Sequence, residues 1–175
     1  MSEFWNARYA GEEYVYGTQP NVLLRSTLAQ LKPGKICLPG DGEGRNAVYA
    51  ARLGWDVYAM DASEVGKVKA LTLADAAGVS IQFETSTYED FNPASEAFDA
   101  VGLVFTHAIP HVRKVLHDKV IQALKPGGTL IAMYFSVDQL GKNTGGPGRL
   151  DMLYTLETLQ EDFKQLTVET LEKKR

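Results

Sequence analysis

The stretch Ile36-Cys37-Leu38-Pro39-Gly40-Asp41-Gly42-Glu43-Gly44-Arg45-Asn46 decides the fold of this chain. An apolar run typical of a buried strand ends in three glycines at alternate positions, and a helical pattern follows at once. Glycine tolerates positive φ and lets a ligand approach bare backbone. The first turn of a helix offers unpaired N–H groups and the positive end of its dipole. Together, the strand, the glycine turn and the helix predict a cradle for a nucleotide-like ligand.

Strand and helix patterns alternate along the rest of the chain. We expect strands at 35–39, 56–60, 80–84, 98–105, 129–135 and 166–171, and helices at 2–10, 20–31, 46–53, 64–77, 111–124 and 155–163. This alternation predicts an α/β fold with a Rossmann-like, doubly wound and mostly parallel sheet. Ligands of such sheets bind beyond the carboxyl ends of the strands, where the strand order reverses.

The chain is expected to form a single domain at 175 residues, with an N-terminal helical part (1–31) and a core (35–175). The aromatic N-terminal part has two interpretations. It is either an amphipathic helix that covers the core, or a lid in which Trp5, Arg8, Tyr9 and Tyr16 close over the ligands. In the second interpretation, Arg8 attracts an anionic acceptor.

Composition narrows the class of protein. A net charge of −4 gives no general attraction to nucleic acid or to an anionic membrane, so neither is an expected partner. The single cysteine, Cys37, has no partner for an internal disulfide, which suits a reducing compartment. The sequence shows no signal-peptide pattern and no apolar run near the ~20 residues that span a bilayer. We therefore expect a cytoplasmic protein.

A second marker lies at the end of the strand that follows the glycine turn. Asp61 comes seventeen positions after Gly44, where a carboxylate can accept hydrogen bonds from both hydroxyls of a ribose. The spacing Gly40-x-Gly42-x-Gly44 differs from the dinucleotide pattern G-x-G-x-x-G. The alternative is a plain tight turn beside a solvated strand end.

These residues resemble class I S-adenosylmethionine-dependent methyltransferases. The resemblance rests, in chain order, on Gly40-Asp41-Gly42-Glu43-Gly44-Arg45-Asn46, Asp61, Phe98-Asp99-Ala100 and Leu124-Lys125-Pro126-Gly127-Gly128. Two further stretches are similar to the tellurite-resistance (TehB-like) branch of this superfamily: Phe4-Trp5-Asn6-x-Arg8-Tyr9…Tyr16-Gly17-x-x-Pro20-Asn21 and Asn143-Thr144-Gly145-Gly146-Pro147. The resemblance covers essentially the whole chain.

The resemblance implies a set of residues that bind S-adenosyl-L-methionine and its product S-adenosyl-L-homocysteine. The glycines would admit the amino-acid part and the ribose, Asp61 would hold the ribose diol, and Ala62 would lie beside the adenine. The implied set consists of Gly40, Asp41, Gly42, Gly44, Arg45, Asn46, Asp61, Ala62, Thr87, Tyr88, Glu89, Phe105 and Tyr16. Two positions depart from the superfamily, because Leu38 and Thr87 stand where many members have an acidic residue.

The resemblance places the transferred methyl group near the carboxyl end of the strand at 98–105. His107 is the polar side chain there that we expect to contact substrate, and Arg8 completes the predicted catalytic pair. The alternative for His107 is a loop histidine that bonds backbone. No metal site is expected from His107 and His111, because Pro110 argues against one shared helical face and no carboxylate or cysteine completes a set.

The implied reaction is methyl transfer to a small, soft nucleophile such as a thiol or a tellurite- or selenite-like oxyanion. The alternatives are a non-catalytic S-adenosylmethionine-binding module and, on the same fold, an NAD-dependent oxidoreductase. The superfamily ends with an antiparallel strand, which we expect this chain to lack. The strand at 166–171 would then pair with the strand at 129–135, remain a free edge, or join a second copy in a homodimer.

Overall fold

A five-stranded, wholly parallel sheet forms the centre of the fold. The computed structural model describes residues 2–143 and 145–174. Its strands are β1 (Lys35–Pro39), β2 (Asp56–Asp61), β3 (Gln82–Thr85), β4 (Phe98–Val104) and β5 (Leu124–Met133), in the order β3-β2-β1-β4-β5. The order reverses between β1 and β4, so the carboxyl ends of these two strands flank the expected ligand crevice. The predicted Rossmann-like α/β fold is confirmed.

Six α-helices of the described residues connect or flank the strands. They are α1 (Ser2–Tyr9), α2 (Val22–Leu28), α3 (Arg45–Arg52), α4 (Glu64–Ala76), α5 (Pro110–Ala123) and α6 (Leu156–Asp162), and short 3₁₀ turns lie at Val137–Gln139 and Leu150–Met152. N-cap residues explain where α2, α4 and α6 begin. The side chains of Asn21, Ser63 and Thr155 accept hydrogen bonds from N–H groups in the first turn of these helices. No helix within the described residues combines the length and apolar character needed to cross a membrane.

The core has one layer on each face of the sheet. Successive residues of β1 point to opposite faces, so Ile36 and Leu38 pack with the α2 and α3 layer while Cys37 packs with the α5 and α6 layer. The strands of a sheet that is buried on both faces have continuous apolar sequences, and residues 36–38 of β1 show this pattern. Leu38, a departure from the superfamily pattern, is fully buried and packs against Gly102 of β4. It therefore belongs to the core.

Most of the predicted elements are confirmed, with shifts at their ends. The Lys125-Pro126-Gly127-Gly128 segment, expected as a turn, lies within β5, which therefore begins at Leu124. The predicted strand at 166–171 is wrong, since no residue of that range pairs with a strand. A strand requires a neighbour for its backbone groups. Here Leu166 packs on the α5 and α6 layer instead, while Val168 is exposed. Thr144 of the 143–147 loop lies outside the described residues.

The glycine turn depends on close packing between α3 and α4. Gly44 adopts φ +87°, and a Cβ built on it would lie 2.5 Å from Cβ and 2.7 Å from Cα of Ala70 on α4. A Cβ on Gly66 would likewise lie 2.9 Å from the carbonyl oxygen of Gly42. Only glycine at 44 permits both the left-handed backbone and this approach.

We expect Gly44→Ala to lower the free energy of unfolding by about 2–5 kcal/mol, since it adds left-handed strain of about 1–2 kcal/mol to overpacking of about 1–3 kcal/mol. Gly78→Ala is the matched control, because Gly78 also has positive φ (+67°) but meets no atom within 4 Å. Gly78→Ala should therefore lower the free energy of unfolding only by the left-handed strain of about 1–2 kcal/mol. Urea unfolding of both variants measures the difference, and equal losses would contradict the packing argument.

Candidate functional site

The glycine turn is tied to the end of the neighbouring strand. Gly40, Gly42 and Gly44 all have positive φ, between +61° and +87°. The backbone N–H groups of Gly40 and Asp41 both donate to the carbonyl oxygen of Met60, at 2.7 and 3.2 Å. These bonds bring the turn directly beside Asp61, the last residue of β2.

Asp61 connects the glycine turn to the start of α4. Its Oδ2 accepts a hydrogen bond from the Gly42 N–H at 3.0 Å, and its Oδ1 accepts one from the Ser63 N–H at 2.9 Å. The side chain is only 7% exposed. Burial raises the pKa of this carboxyl, while the backbone hydrogen bonds oppose the rise. Asp61 is therefore a positioned acceptor and not a solvated strand end.

A cleft opens beside Asp61 at the carboxyl edge of the sheet. Six of the predicted cofactor residues line it: Gly40, Asp61, Ala62, Thr87, Tyr88 and Glu89. Trp5, Ser86 and Val112 complete the wall. Thr87 Oγ1 donates to Asp90 at 2.8 Å and so organises the turn after β3. The fold thus gathers these residues from the end of β2, from three separate loops, and from α1 and α5.

Two tyrosines occupy the space above the glycine turn. A Cβ built on Gly42 would lie 2.6 Å from the Tyr9 hydroxyl, and the Tyr88 hydroxyl lies over Gly40. The cleft encloses about 60 Å³, whereas ligand pockets typically enclose about 300–1,000 Å³. A ligand that contacts the turn must therefore displace these two aromatic side chains.

Helix α1 and the loop after it are anchored over the turn. The Asn6 side-chain oxygen accepts hydrogen bonds from the Ser63 hydroxyl at 2.7 Å and from the Val65 N–H at 3.3 Å. Lys69 pairs with the buried Glu43 at 2.6 Å. Its ammonium also donates to three backbone carbonyls of the segment 9–13. The N-terminal part thus packs on the core through Tyr9 and forms one wall of the cleft through Trp5. Its closure over ligands as a lid stays a prediction.

Asp41 and Asn46, both predicted to bind cofactor, hold the start of α3. The Asp41 carboxylate accepts hydrogen bonds from the Asn46 side-chain amide and from the Ala47 N–H, both at 3.0 Å. Asn46 in turn accepts the Asn21 N–H at 2.9 Å, which links α2 to the turn. Burial raises the pKa of Asp41 to about 7, against the opposing effect of these hydrogen bonds. Neither side chain lines the cleft.

Three other predicted residues lie together on the surface. The Arg45 guanidinium donates to the carbonyl oxygen of Tyr16 at 3.2 Å, and the Arg8 guanidinium lies 5.9 Å from the centre of the Tyr16 ring. Arg8 and Tyr16 are exposed. This arrangement places two cations near the outer side of the glycine turn, and none of the three lines the cleft.

The chain turns sharply where β4 ends. Phe105 has φ +57°, which is strained for an aromatic residue by about 1–3 kcal/mol. Its ring stacks on Phe135 with centroids 4.6 Å apart. The turn directs Thr106 toward β1, so that its methyl group would lie 3.1 Å from a Cβ built on Gly40. Thr106 therefore joins the glycine turn to the β4 side of the site.

His107 has both ring nitrogens bonded to backbone. Nε2 accepts the Phe135 N–H at 3.2 Å, so Nδ1 carries the proton and donates to the Met152 carbonyl at 2.7 Å. Burial lowers its pKa. A neutral imidazole in this position organises the loops around the site and has no free nitrogen for a substrate. Within residues 2–143 and 145–174, no group of three side chains could hold a metal ion.

Sequence reasoning did not find the polar groups at the end of β5. Tyr134 follows β5, and its ring stacks on Tyr154 with centroids 3.9 Å apart. His117 on α5 contacts Tyr134, and both it and Tyr154 are buried. No spacing signal could have linked them, since their positions reflect how the helices pack and follow no local motif.

Known proteins of one family are similar to this chain. A family profile described as methyltransferase domain matches residues 38–128, slightly more than half of the chain. A comparison with curated proteins found no match.

Three solved structures illustrate the likeness. One, described by the conversion of a disulfide bond into a thioacetal group during echinomycin biosynthesis, is 22% identical with a TM-score of 0.77, over 97% of this chain and 80% of that one. Phosphoethanolamine N-methyltransferase 2 from Haemonchus contortus, in complex with S-adenosyl-L-methionine, is 20% identical with a TM-score of 0.67, over 93% and 40%. A methyltransferase from Thiobacillus denitrificans, in complex with S-adenosyl-L-homocysteine, is 20% identical with a TM-score of 0.57, over 74% and 54%. The chain thus spans about half the length of the last two, and at these identities the likeness shows a shared fold.

The raised pKa of Asp41 predicts a pH-dependent stability. The unfolded carboxyl has a pKa of about 3.9, so the folded state binds the proton more tightly. The stability from Asp41 is then fully present below about pH 4 and is lost as pH rises through 7. We expect the difference in unfolding free energy between wild type and Asp41→Asn to fall across this range. Urea unfolding from pH 4 to 8 measures it, with the exposed Asp75→Asn as control; a constant difference would contradict the assignment.

Proposed function

The chain belongs to the methyltransferase domain family, and on this premise we propose that it is an S-adenosylmethionine-dependent methyltransferase acting on a small acceptor. The observation that carries the proposal is the Asp61 carboxylate, fixed beside a glycine turn at the point where the strand order reverses. Two solved structures of the same fold contain S-adenosyl-L-methionine or S-adenosyl-L-homocysteine, which supports this cofactor here.

The residues of the cleft fit the chemistry of this cofactor. Asp61 is an acceptor-only carboxylate suited to a ribose diol. Ala62, Thr87 and Tyr88 supply the mixed apolar and polar edge that an adenine requires, and Gly40 and Gly42 expose backbone that a bulkier residue would cover. Bound there, the cofactor supplies an electrophilic methyl group on a sulfonium. The protein then has to orient the acceptor and exclude water.

Trp5, Tyr9 and Tyr88 support water exclusion. Tyr9 and Tyr88 already pack against the glycine turn, and Trp5 stacks on Tyr9. The Asn6 and Lys69 hydrogen bonds hold the N-terminal segment of Trp5 and Tyr9 in place. We infer that these rings move outward to admit cofactor and then cover it. A dry, shaped site strengthens the electrostatic interactions that align the reacting groups.

We propose a soft nucleophile as the acceptor, either a thiol or a tellurite- or selenite-like oxyanion. The narrow cleft favours a small molecule, and the cations of exposed Arg8 and half-buried Arg45 suit an anionic one. A thiol of pKa near 8.5 needs only modest help to ionise. The resemblance to the tellurite-resistance branch supports the same acceptor class.

The first test concerns the cofactor. We expect Asp61→Asn to weaken S-adenosylmethionine binding by at least tenfold, because hydrogen bonds to a charged group contribute about 1.5–3 kcal/mol. Titration calorimetry measures the affinity, and circular dichroism checks that the variant is folded. Asp56→Asn, at the exposed start of the same strand, is the control and should bind like wild type. Equal binding by both variants would sink the assignment of Asp61.

The second test concerns the acceptor. Purified protein is incubated with S-adenosylmethionine and one of 2-mercaptoethanol, tellurite, selenite or guanidinoacetate, and S-adenosylhomocysteine is quantified. We expect turnover with the thiol or the oxyanions and none with guanidinoacetate, a hard nitrogen nucleophile. Preference for the nitrogen acceptor would overturn the proposed acceptor class and leave the cofactor assignment intact.

A further inference from the structure

A buried chain of hydrogen bonds runs from α6 to the end of β5. The Asp162 carboxylate lies 2.9 Å from Nδ1 of His117, and Nε2 of His117 lies 3.1 Å from the hydroxyl of Tyr134. His117 is 1% exposed and its ring also packs on Phe163 at 4.4 Å. The three polar side chains therefore form a continuous path from α6 to the carboxyl edge of the sheet.

The path has a defined direction for protons. An ionised carboxylate can only accept, so Nδ1 of His117 carries the proton and Nε2 is left to accept the Tyr134 O–H. The Tyr134 oxygen then keeps its lone pairs for a group on its other side. Asp162 is held by the Arg113 guanidinium as well, at 3.0 Å. In this arrangement His117 has the position of a general base, and the Asp162 carboxylate fixes the orientation of its ring.

The outer end of the path reaches the glycine turn through Thr106. Tyr134 is half-buried and adjoins the hydroxyls of Thr106 and Tyr154. Both of those residues are more than nine-tenths buried, and their hydroxyls surround the Tyr134 oxygen. The Thr106 methyl group packs toward Gly40 of the glycine turn. Hydroxyl groups rotate to suit their partners, so this cluster can turn toward a polar group of a ligand that enters beside it.

We propose that Tyr134, backed by His117 and Asp162, takes the proton that the acceptor loses when it is methylated. The inference rests on the proposed function. As the nucleophile forms its new bond to carbon, its bond to hydrogen breaks and the electron pair of the methyl–sulfur bond stays on sulfur. The proton passes to the Tyr134 oxygen, and the phenolic proton passes to Nε2 of His117. The imidazolium, stabilised by Asp162, later releases one proton to solvent.

Burial and the neighbouring charges act on His117 in opposite directions. Burial lowers the pKa of His117 and keeps the imidazole neutral before the reaction, and Arg113 adds to that shift. Asp162 and Asp118 raise the pKa and so favour the imidazolium that the relay requires. Burial raises the pKa of Tyr134 well above 10, with Tyr88 and Tyr154 acting in the same direction. Tyr134 therefore passes the proton on and does not hold a phenolate.

The kinetic test compares acceptors with and without a proton on the nucleophile. 2-Mercaptoethanol must lose a proton, whereas iodide has none. Tyr134→Phe and His117→Gln should each lower kcat/KM for the thiol by at least 30-fold, mainly through kcat, because general-base catalysis contributes about 10²–10⁴-fold. Both should methylate iodide within threefold of wild type. Tyr49→Phe and His111→Gln, outside the site, are the matched controls.

A second measurement does not depend on turnover. Thiophenol is titrated with base while bound to protein loaded with S-adenosylhomocysteine, and thiolate absorbance gives its ionisation midpoint. We expect the midpoint to rise by at least one pH unit in Tyr134→Phe relative to Tyr49→Phe. An unchanged midpoint, or equal losses of activity toward thiol and iodide, would overturn the relay and leave a structural network. Failure to bind S-adenosylmethionine would instead overturn the proposed function. Cofactor binding without turnover of either acceptor would overturn the relay and the assignment of a thiol as acceptor.

Discussion

The pair of hydrogen bonds that Asp61 accepts from Gly42 and Ser63 is the constraint on which the site depends. It fixes the glycine turn against β2 and at the same time sets the start of α4. The turn can lie there only because Gly44 and Gly66 have no Cβ. A Cβ on Gly44 would collide with Ala70 of α4, and a Cβ on Gly66 would collide with the carbonyl oxygen of Gly42 in the turn. A buried carboxylate is costly unless it is hydrogen-bonded, and the backbone groups that satisfy it are those of the turn itself.

Two halves of the site meet across the switch point of the sheet. The β1–β2 half supplies backbone, a carboxylate and an aromatic cover from α1. The β4–β5 half supplies Thr106, Tyr134 and Tyr154, with His117 and Asp162 behind them. Thr106 packs toward Gly40 because Phe105 accepts a strained left-handed backbone. Strain of this kind persists where surrounding packing determines it, as the stacking of Phe105 on Phe135 does here.

Several residues differ in role from what their position in the sequence indicated. Asp41 and Asn46 belong to the glycine motif, yet their side chains turn inward to hold α3 and α2. His107 follows β4 as expected, but two backbone groups occupy its nitrogens. In each case the polar side chain hydrogen-bonds nearby groups of the protein and is not left free for a ligand. Residue type and spacing do not show which of these partners a side chain will bind.

The amino-acid sequence predicted the α/β alternation, the five strands that form together with a sixth that does not, the glycine turn, and Asp61 at the end of the strand that follows it. These follow from local rules: apolar runs of strand length, caps, and backbone conformations open only to glycine. The tertiary structure alone decided that 166–171 forms no strand, that α1 covers the turn, and that Asp162, His117 and Tyr134 form one path. The physical reason is that strand pairing and buried hydrogen bonds join residues far apart in the chain, and their formation depends on which partners the packed helices leave available.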